Sequence, residues 1–130
     1  MGYLLDTNVL IDLVEGTRDF KLARARFGDT GHFSVISTVE LHAGALVDGR
    51  MDPELQRRIA EIVDGLVELP FTSAEAEAYA RIIEATGFSR RMIIDRMIAA
   101  TAVTNALTLL TSNRRDFRDI PSLIIEDWPE

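Results

Sequence analysis

The chain has 130 residues, which suits a single domain, 1–130, around one core. It has no cysteine, which excludes disulfides, a thiol nucleophile and thiolate-bound zinc and fits a reducing cytoplasm. Its net charge of −7 speaks against a broad basic nucleic-acid surface, although carboxylates gathered for a divalent ion would add charge of that sign. No apolar run is long enough to cross a bilayer, and the start lacks a basic-then-apolar signal pattern, so no membrane partner is expected.

Tyr3-Leu4-Leu5 reads as a buried strand that delivers Asp6 to the point where strand turns into helix. Asp6 or Thr7 also suits a helix cap, so the position alone does not decide between cap and chemistry. Asn8 to Val14 continues as a helix that Glu15-Gly16-Thr17 ends. A more polar helix is predicted over Asp19 to Phe27, with Phe20, Ala23 and Phe27 on one stripe, then a turn over Gly28 to Gly31 and a short strand over His32 to Ile36. Ser37-Thr38-Val39-Glu40 has the spacing of a capping box and opens a predicted helix to about Val47. Asp48-Gly49-Arg50 is a break.

Asp52-Pro53 starts the next helix, with Leu55, Ile59, Ile62, Val63 and Leu66 on its buried side. Val67 to Phe71 reads as a strand, and Thr72-Ser73-Ala74-Glu75 caps a helix that stops at Gly87. Phe88 to Arg91 is a basic connector. A helix from about Met92 to Asn105 carries Ala99, Ala100 and Ala102, small enough to lie close on a sheet. Leu107 to Leu110 is a strand, Arg114 to Phe117 a helical turn, Leu123 to Ile125 the last strand, and Glu126 to Glu130 a tail.

Strands alternate with helices throughout. The fold class is therefore α/β, a parallel sheet of four to five strands flanked by helices on both faces. Polar residues follow three of the strands directly: Asp6-Thr7, Ser37 with Glu40, and Thr111-Ser112-Asn113 with Asp116. In a parallel sheet these ends share one edge, so acids distant in sequence can converge. A fourth acid, Asp95, interrupts the apolar run Ile93, Ile94, Met97, Ile98. It suits either such a site or an exposed position paired with Arg91 or Arg96. Four converging carboxylates would repel unless a cation offset them, and all-oxygen donors select Mg2+ or Mn2+. An ion of that kind acidifies water and polarises phosphodiesters. Asp119 could join the acids or face solvent. His32 and His42 lack ligand spacing. The arginines crowd late in the chain, and Lys21 is the only lysine. Arginine suits phosphate and surface ion pairs alike. The segment bearing Arg90, Arg91 and Arg96 is the candidate contact for a phosphodiester backbone.

The ordered set Leu5-Asp6-Thr7-Asn8, Ser37-x-x-Glu40-Leu41, Asp95-x-x-Ile98-Ala99-Ala100 and Thr111-x-Asn113-x-x-Asp116-Phe117 resembles the PIN domain. With the closing Ile124-Ile125-Glu126-Asp127-Trp128, the whole chain looks like a VapC-type toxin of a toxin–antitoxin pair. The resemblance implies a Mg2+- or Mn2+-dependent endoribonuclease that cuts tRNA or another structured RNA. It carries over Asp6, Glu40, Asp95 and Asp116 as catalytic metal ligands, with Thr7, Ser37 and Asn113 supporting them. It also implies a homodimer and a VapB-like antitoxin covering the acidic groove. Two other classes compete. A receiver-type phosphoacceptor domain gathers acids at strand ends but wants a lysine near the late strands. A catalytically silent binding module would hold no manganese.

Overall fold

A computed structural model of the chain describes residues 2–16 and 20–128, with Phe20 and Asp29 described by their backbone alone. Its main sheet has five parallel strands: β1 (Tyr3–Leu5), β2 (Gly31–Ser34), β5 (Val67–Leu69), β6 (Thr108–Thr111) and β7 (Ile125–Asp127). The spatial order is β5-β2-β1-β6-β7. A separate antiparallel ribbon joins β3 (Leu46–Val47) to β4 (Arg50–Met51). The helices are α1 (Thr7–Glu15), α2 (Phe20–Phe27), α3 (Val35–Gly44), α4 (Pro53–Asp64), α5 (Ser73–Thr86) and α6 (Ile93–Thr104). Thr17, the Asp19 start of α2, the side chain of Phe20 and the end of the expected tail lie outside the described residues.

Side chains alternate across a strand, and here both faces are apolar. Leu4 and Leu109 point into one core with Ala78, Ile82, Ile98, Ala99 and Phe117. Leu5 and Leu110 point into the other with Val9, Leu10, Leu13, Phe27 and Trp128. The alanines of α6 are fully buried, so that helix lies close on the sheet. Replacing Leu109 or Leu110 with Ala is expected to lower stability by about 2–5 kcal/mol each, read from the urea midpoint. A cost near zero for either would contradict the two-faced core.

Several boundaries differ from the sequence expectation, among them the end of the Val67 to Phe71 strand, which stops at Leu69, and the Leu107 to Leu110 strand, which runs from Thr108 to Thr111. β2 ends at Ser34 rather than Ile36, because the Ser34 hydroxyl accepts from the Ile36 amide at 3.0 Å and starts α3 there. Ser37 therefore lies inside α3, buried, and the Ser37–Glu40 capping box does not form. Helix α3 stops at Gly44 rather than Val47, and the Asp48-Gly49 break is the turn of a hairpin. Asp48 and Gly49 both have positive φ (52° and 78°), the backbone of a two-residue turn that Asp-Gly favours. β7 begins at Ile125, after a turn with Ser122 at φ 67°, so Glu126 and Asp127 belong to the sheet. By contrast, the Thr72–Glu75 capping box forms as read.

Chain direction sets the site. From β1 the chain builds outward through β2 and β5, then returns to the other side of β1 with β6 and β7. The reversal lies between β1 and β6, where a doubly wound sheet opens a crevice at its carboxyl edge.

Candidate metal centre

Register places the first acid. Leu5 pairs with Leu110, and the Asp6 amide donates to the Leu110 carbonyl at 2.9 Å, so Asp6 stands beside Thr111 at the switch point. Asp6 is the N-cap of α1 but makes no side-chain cap bond. Its carboxylate Oδ2 instead accepts from the Thr111 hydroxyl at 2.8 Å. Only 3% of Asp6 is exposed. A carboxylate so buried needs either a compensating partner or a proton. Burial raises its pKa from 3.8 to about 6, against the Thr111 and Thr7 hydrogen bonds, with the charges of Glu40 and Asp116 adding to the rise.

The second acid comes from α3. Because α1 and α3 start from neighbouring strands, Thr7 in the first turn of α1 meets Ser37 and Glu40. The Thr7 hydroxyl donates to Glu40 Oε1 at 2.6 Å. Its one hydrogen is thereby used, so Ser37 Oγ, at 2.7 Å, donates to Thr7. Ser37 and Thr7 form a relay that aims a half-buried carboxylate.

A third acid, Asp116, hangs from the turn after β6. The Asn113 amide donates to Thr111 Oγ1 at 3.0 Å, and the Asn113 side-chain Nδ2 donates to Asp116 Oδ2. Asn113 thus ties Asp116 to the hydroxyl that holds Asp6. Thr111 stands in the sequence motif but carried no supporting role there, and the structure places its hydroxyl on Asp6. The available signal was a hydroxyl at the end of an apolar strand, shortly before Asn113 and Asp116.

Asp95 sits in the first turn of α6, half-buried. Its pKa is pushed up to about 6, chiefly by burial, then by the charges of Asp6, Asp116 and Glu40, with Arg96 opposing. The four acids therefore share one electrostatic neighbourhood at the sheet edge. Among the described residues, Asp95 forms no ion pair with Arg91 or Arg96. No three acidic or histidine side chains among them stand close enough to enclose an ion unaided. Asp119 is exposed, with φ 69°. His42 is exposed, and His32 Nδ1 lies 2.8 Å from the Thr30 carbonyl, so neither joins the acids.

The expected RNA-contact arginines separate. Arg90 and Arg91 are exposed on the short helical turn before α6. Arg96 is drawn into the fold: Nη1 donates to the Gly87 carbonyl at 2.9 Å, and its buried Nε has no partner among the described residues.

Thr111→Val removes the donor that holds Asp6 while keeping the shape. We expect a rate about 10- to 100-fold lower and an acid limb of the pH–rate profile shifted upward, with Thr111→Ser restoring both. A lower rate with an unmoved profile would assign Thr111 a packing role only.

The sequence and the fold both have counterparts among known proteins. The family model of the PIN domain matches residues 3–123. "Ribonuclease VapC" of Rickettsia bellii is 36% identical over 137 residues, covering 99% of this chain and 98% of its own. Among solved structures, VapBC2 from Rickettsia felis bound to a DNA fragment from its promoter superposes with TM-score 0.82 at 24% identity, covering 98% of both chains. A toxin–antitoxin complex from Klebsiella pneumoniae superposes with TM-score 0.73 at 27% identity, covering 95% of this chain and 96% of the other. The family match sets aside the receiver-type reading. The chain belongs to the PIN-domain family, on its VapC-type branch.

Proposed function

We propose that this chain is an endoribonuclease toxin that cleaves tRNA or another structured RNA with Mg2+ or Mn2+ held by Asp6, Glu40, Asp95 and Asp116. The observation that carries the reading is the charge coupling of Asp95 to the three other acids across four separate elements. The donor set suits a hard divalent cation. It is all oxygen, and two of its carboxyls are held near 6, chiefly by burial and then by neighbouring carboxylates, a strain that such a cation relieves. Because the acids do not enclose an ion unaided, water and substrate oxygens would complete the shell, as Mg2+ prefers. When bound, the ion supplies an acidified water and offsets the charge that develops on the phosphodiester.

The chain's own residues do the positioning. Thr111 fixes Asp6, Thr7 aims Glu40 and Asn113 holds Asp116, so the acids need little rearrangement on binding. Burial of Asp6 excludes water from its inner side. The products of this reading are a 3′-hydroxyl and a 5′-phosphate.

A groove of about 270 Å³ beside Glu40, between α1, α3 and α4, is lined by Ile11, Val14, Leu41, Leu55 and Ile59. We assign it to an apolar segment of a VapB-like antitoxin, which would cover the acids from that side. The reading includes a homodimer working in the cytoplasm. No helix among the described residues is long and apolar enough to cross a membrane.

The test is sequencing of RNA ends after incubating structured RNA with the purified protein and Mg2+ or Mn2+. Discrete cuts that chelator abolishes are expected. Cleavage that survives chelation would overturn the metal assignment, and no cleavage together with no manganese binding would leave a silent binding module.

A further inference from the structure

We propose that the cleft on the far side of Asp116 is a backbone-phosphate subsite that holds the RNA phosphate next to the one being cut. This rests on the ribonuclease reading for its substrate. The cleft has a volume of about 420 Å³, within the ~300–1,000 Å³ of small-ligand sites, and is lined by Arg91, Met92, Asn113, Arg115, Asp116 and Arg118. Asn113 and Asp116 belong to the acid rim as well, so the cleft opens directly from it.

Three guanidinium groups converge there from two segments. Arg91 comes from the turn before α6, Arg115 and Arg118 from the turn after β6. All three are exposed, and among the described residues none of them makes a side-chain hydrogen bond or ion pair. Three other arginines are neutralised by carboxylates: Arg57 by Glu54 and Glu61, Arg114 by Asp127, Arg26 by Glu126. With 21 acidic residues against 14 basic ones, partners for three more arginines are plentiful in this chain. Only Asp116 offsets their mutual repulsion in the cleft, and its Oδ2 is already engaged by Asn113.

The anion that fits is a phosphodiester. Guanidinium forks grip phosphate oxygens bidentately. A strand crossing the rim would then place one phosphate over the acids and its neighbour over the arginines. This locates the electropositive ground that a −7 chain needs for an RNA substrate, and it adds Arg115 and Arg118 to Arg91 as contacts. A peptide partner is better served by the apolar groove on the other side of Glu40.

The experiment is fluorescence anisotropy of a short labelled single-stranded RNA with Asp6→Asn protein in chelator, across a salt series. Arg115→Ala/Arg118→Ala added to that background is expected to weaken binding about ten-fold. It should also reduce the slope of log K against log salt by about 0.7, the value for one single-strand phosphate. Arg57→Ala, on exposed α4, should change neither. The melting temperature should stay at the parent value in both. Unchanged affinity and slope in the double variant would overturn the subsite, as would weakened binding of an acidic peptide with RNA binding intact. Wild-type cleavage with Mn2+ is measured in parallel. If it fails while arginine-dependent RNA binding persists, the ribonuclease reading falls and the subsite stands. If it succeeds and the arginine variants bind like wild type, the subsite alone falls.

Discussion

Asp6→Asn is expected to slow RNA cleavage by more than about 100-fold while leaving the fold as stable as wild type or more so. The first half follows from position. Replacing groups that merely support a metal ligand costs about 10- to 100-fold, and Asp6 is proposed as a ligand itself. The second half follows from burial. Asp6 is almost wholly enclosed, and its carboxyl is raised to about 6, chiefly by the loss of solvent. Keeping it ionised near neutrality in the metal-free protein therefore costs up to about 3 kcal/mol relative to the unfolded chain. Asparagine removes that charge and still accepts from Thr111. A urea midpoint at or above that of wild type, with cleavage lost, is the predicted pair. A variant that still cleaves, or one that unfolds, contradicts it.

Metal-free and manganese-loaded protein are expected to respond to pH with opposite sign. In the metal-free state Asp6 and Asp95 have folded pKa values near 6, above their unfolded 3.8. The folded state then binds more protons than the unfolded state between those values, so stability falls as pH rises through that window and stays depressed above it. Moving from about pH 7.5 to about pH 5 should return roughly 1.4 kcal/mol through Asp6, or about 5 °C in Tm. Asp95 is only half-buried and coupled to Asp6, so its share is smaller and not additive. Further acidification works against the gain, because Glu75, whose hydrogen bonds to Thr72 outweigh its burial and hold it below its usual range, must then take a proton. Manganese needs the ionised carboxylates, so its stabilisation grows with pH. At about 100 times its Kd it should add about 2.7 kcal/mol, or roughly 10 °C. Melting curves across pH, with and without Mn2+, check both signs. A metal-free protein that loses stability from about pH 7.5 to pH 5 would contradict the burial of Asp6, and identical curves with metal would contradict a shared ion.

Much of this architecture can be read from residue order, because strand-to-helix transitions leave local marks. Leu4-Leu5 followed by Asp6-Thr7 fixes β1 and α1, and the capping box at Thr72–Glu75 fixes the start of α5. Ser34 and Ser37 show where local marks fail. Both are hydroxyls at the entrance to α3, three residues apart. What separates them is tertiary: the Ser34 side chain turns back to an amide, while Ser37 is taken by Thr7 from another helix. The bond from Thr111 to Asp6 was illegible for the same reason, since it depends on the β1–β6 register. Arg96 looked like its neighbours Arg90 and Arg91 until packing of α6 turned it towards the Gly87 carbonyl. The acids were legible as a set because each follows a recognisable element, whereas the bonds that aim them are long-range.

The most direct measurement is anomalous diffraction from crystals soaked in Mn2+. One manganese peak within coordinating or water-bridged reach of Asp6, Glu40, Asp95 and Asp116 is the predicted result. A well-ordered site with those four carboxylates and no manganese at saturating concentration would contradict it.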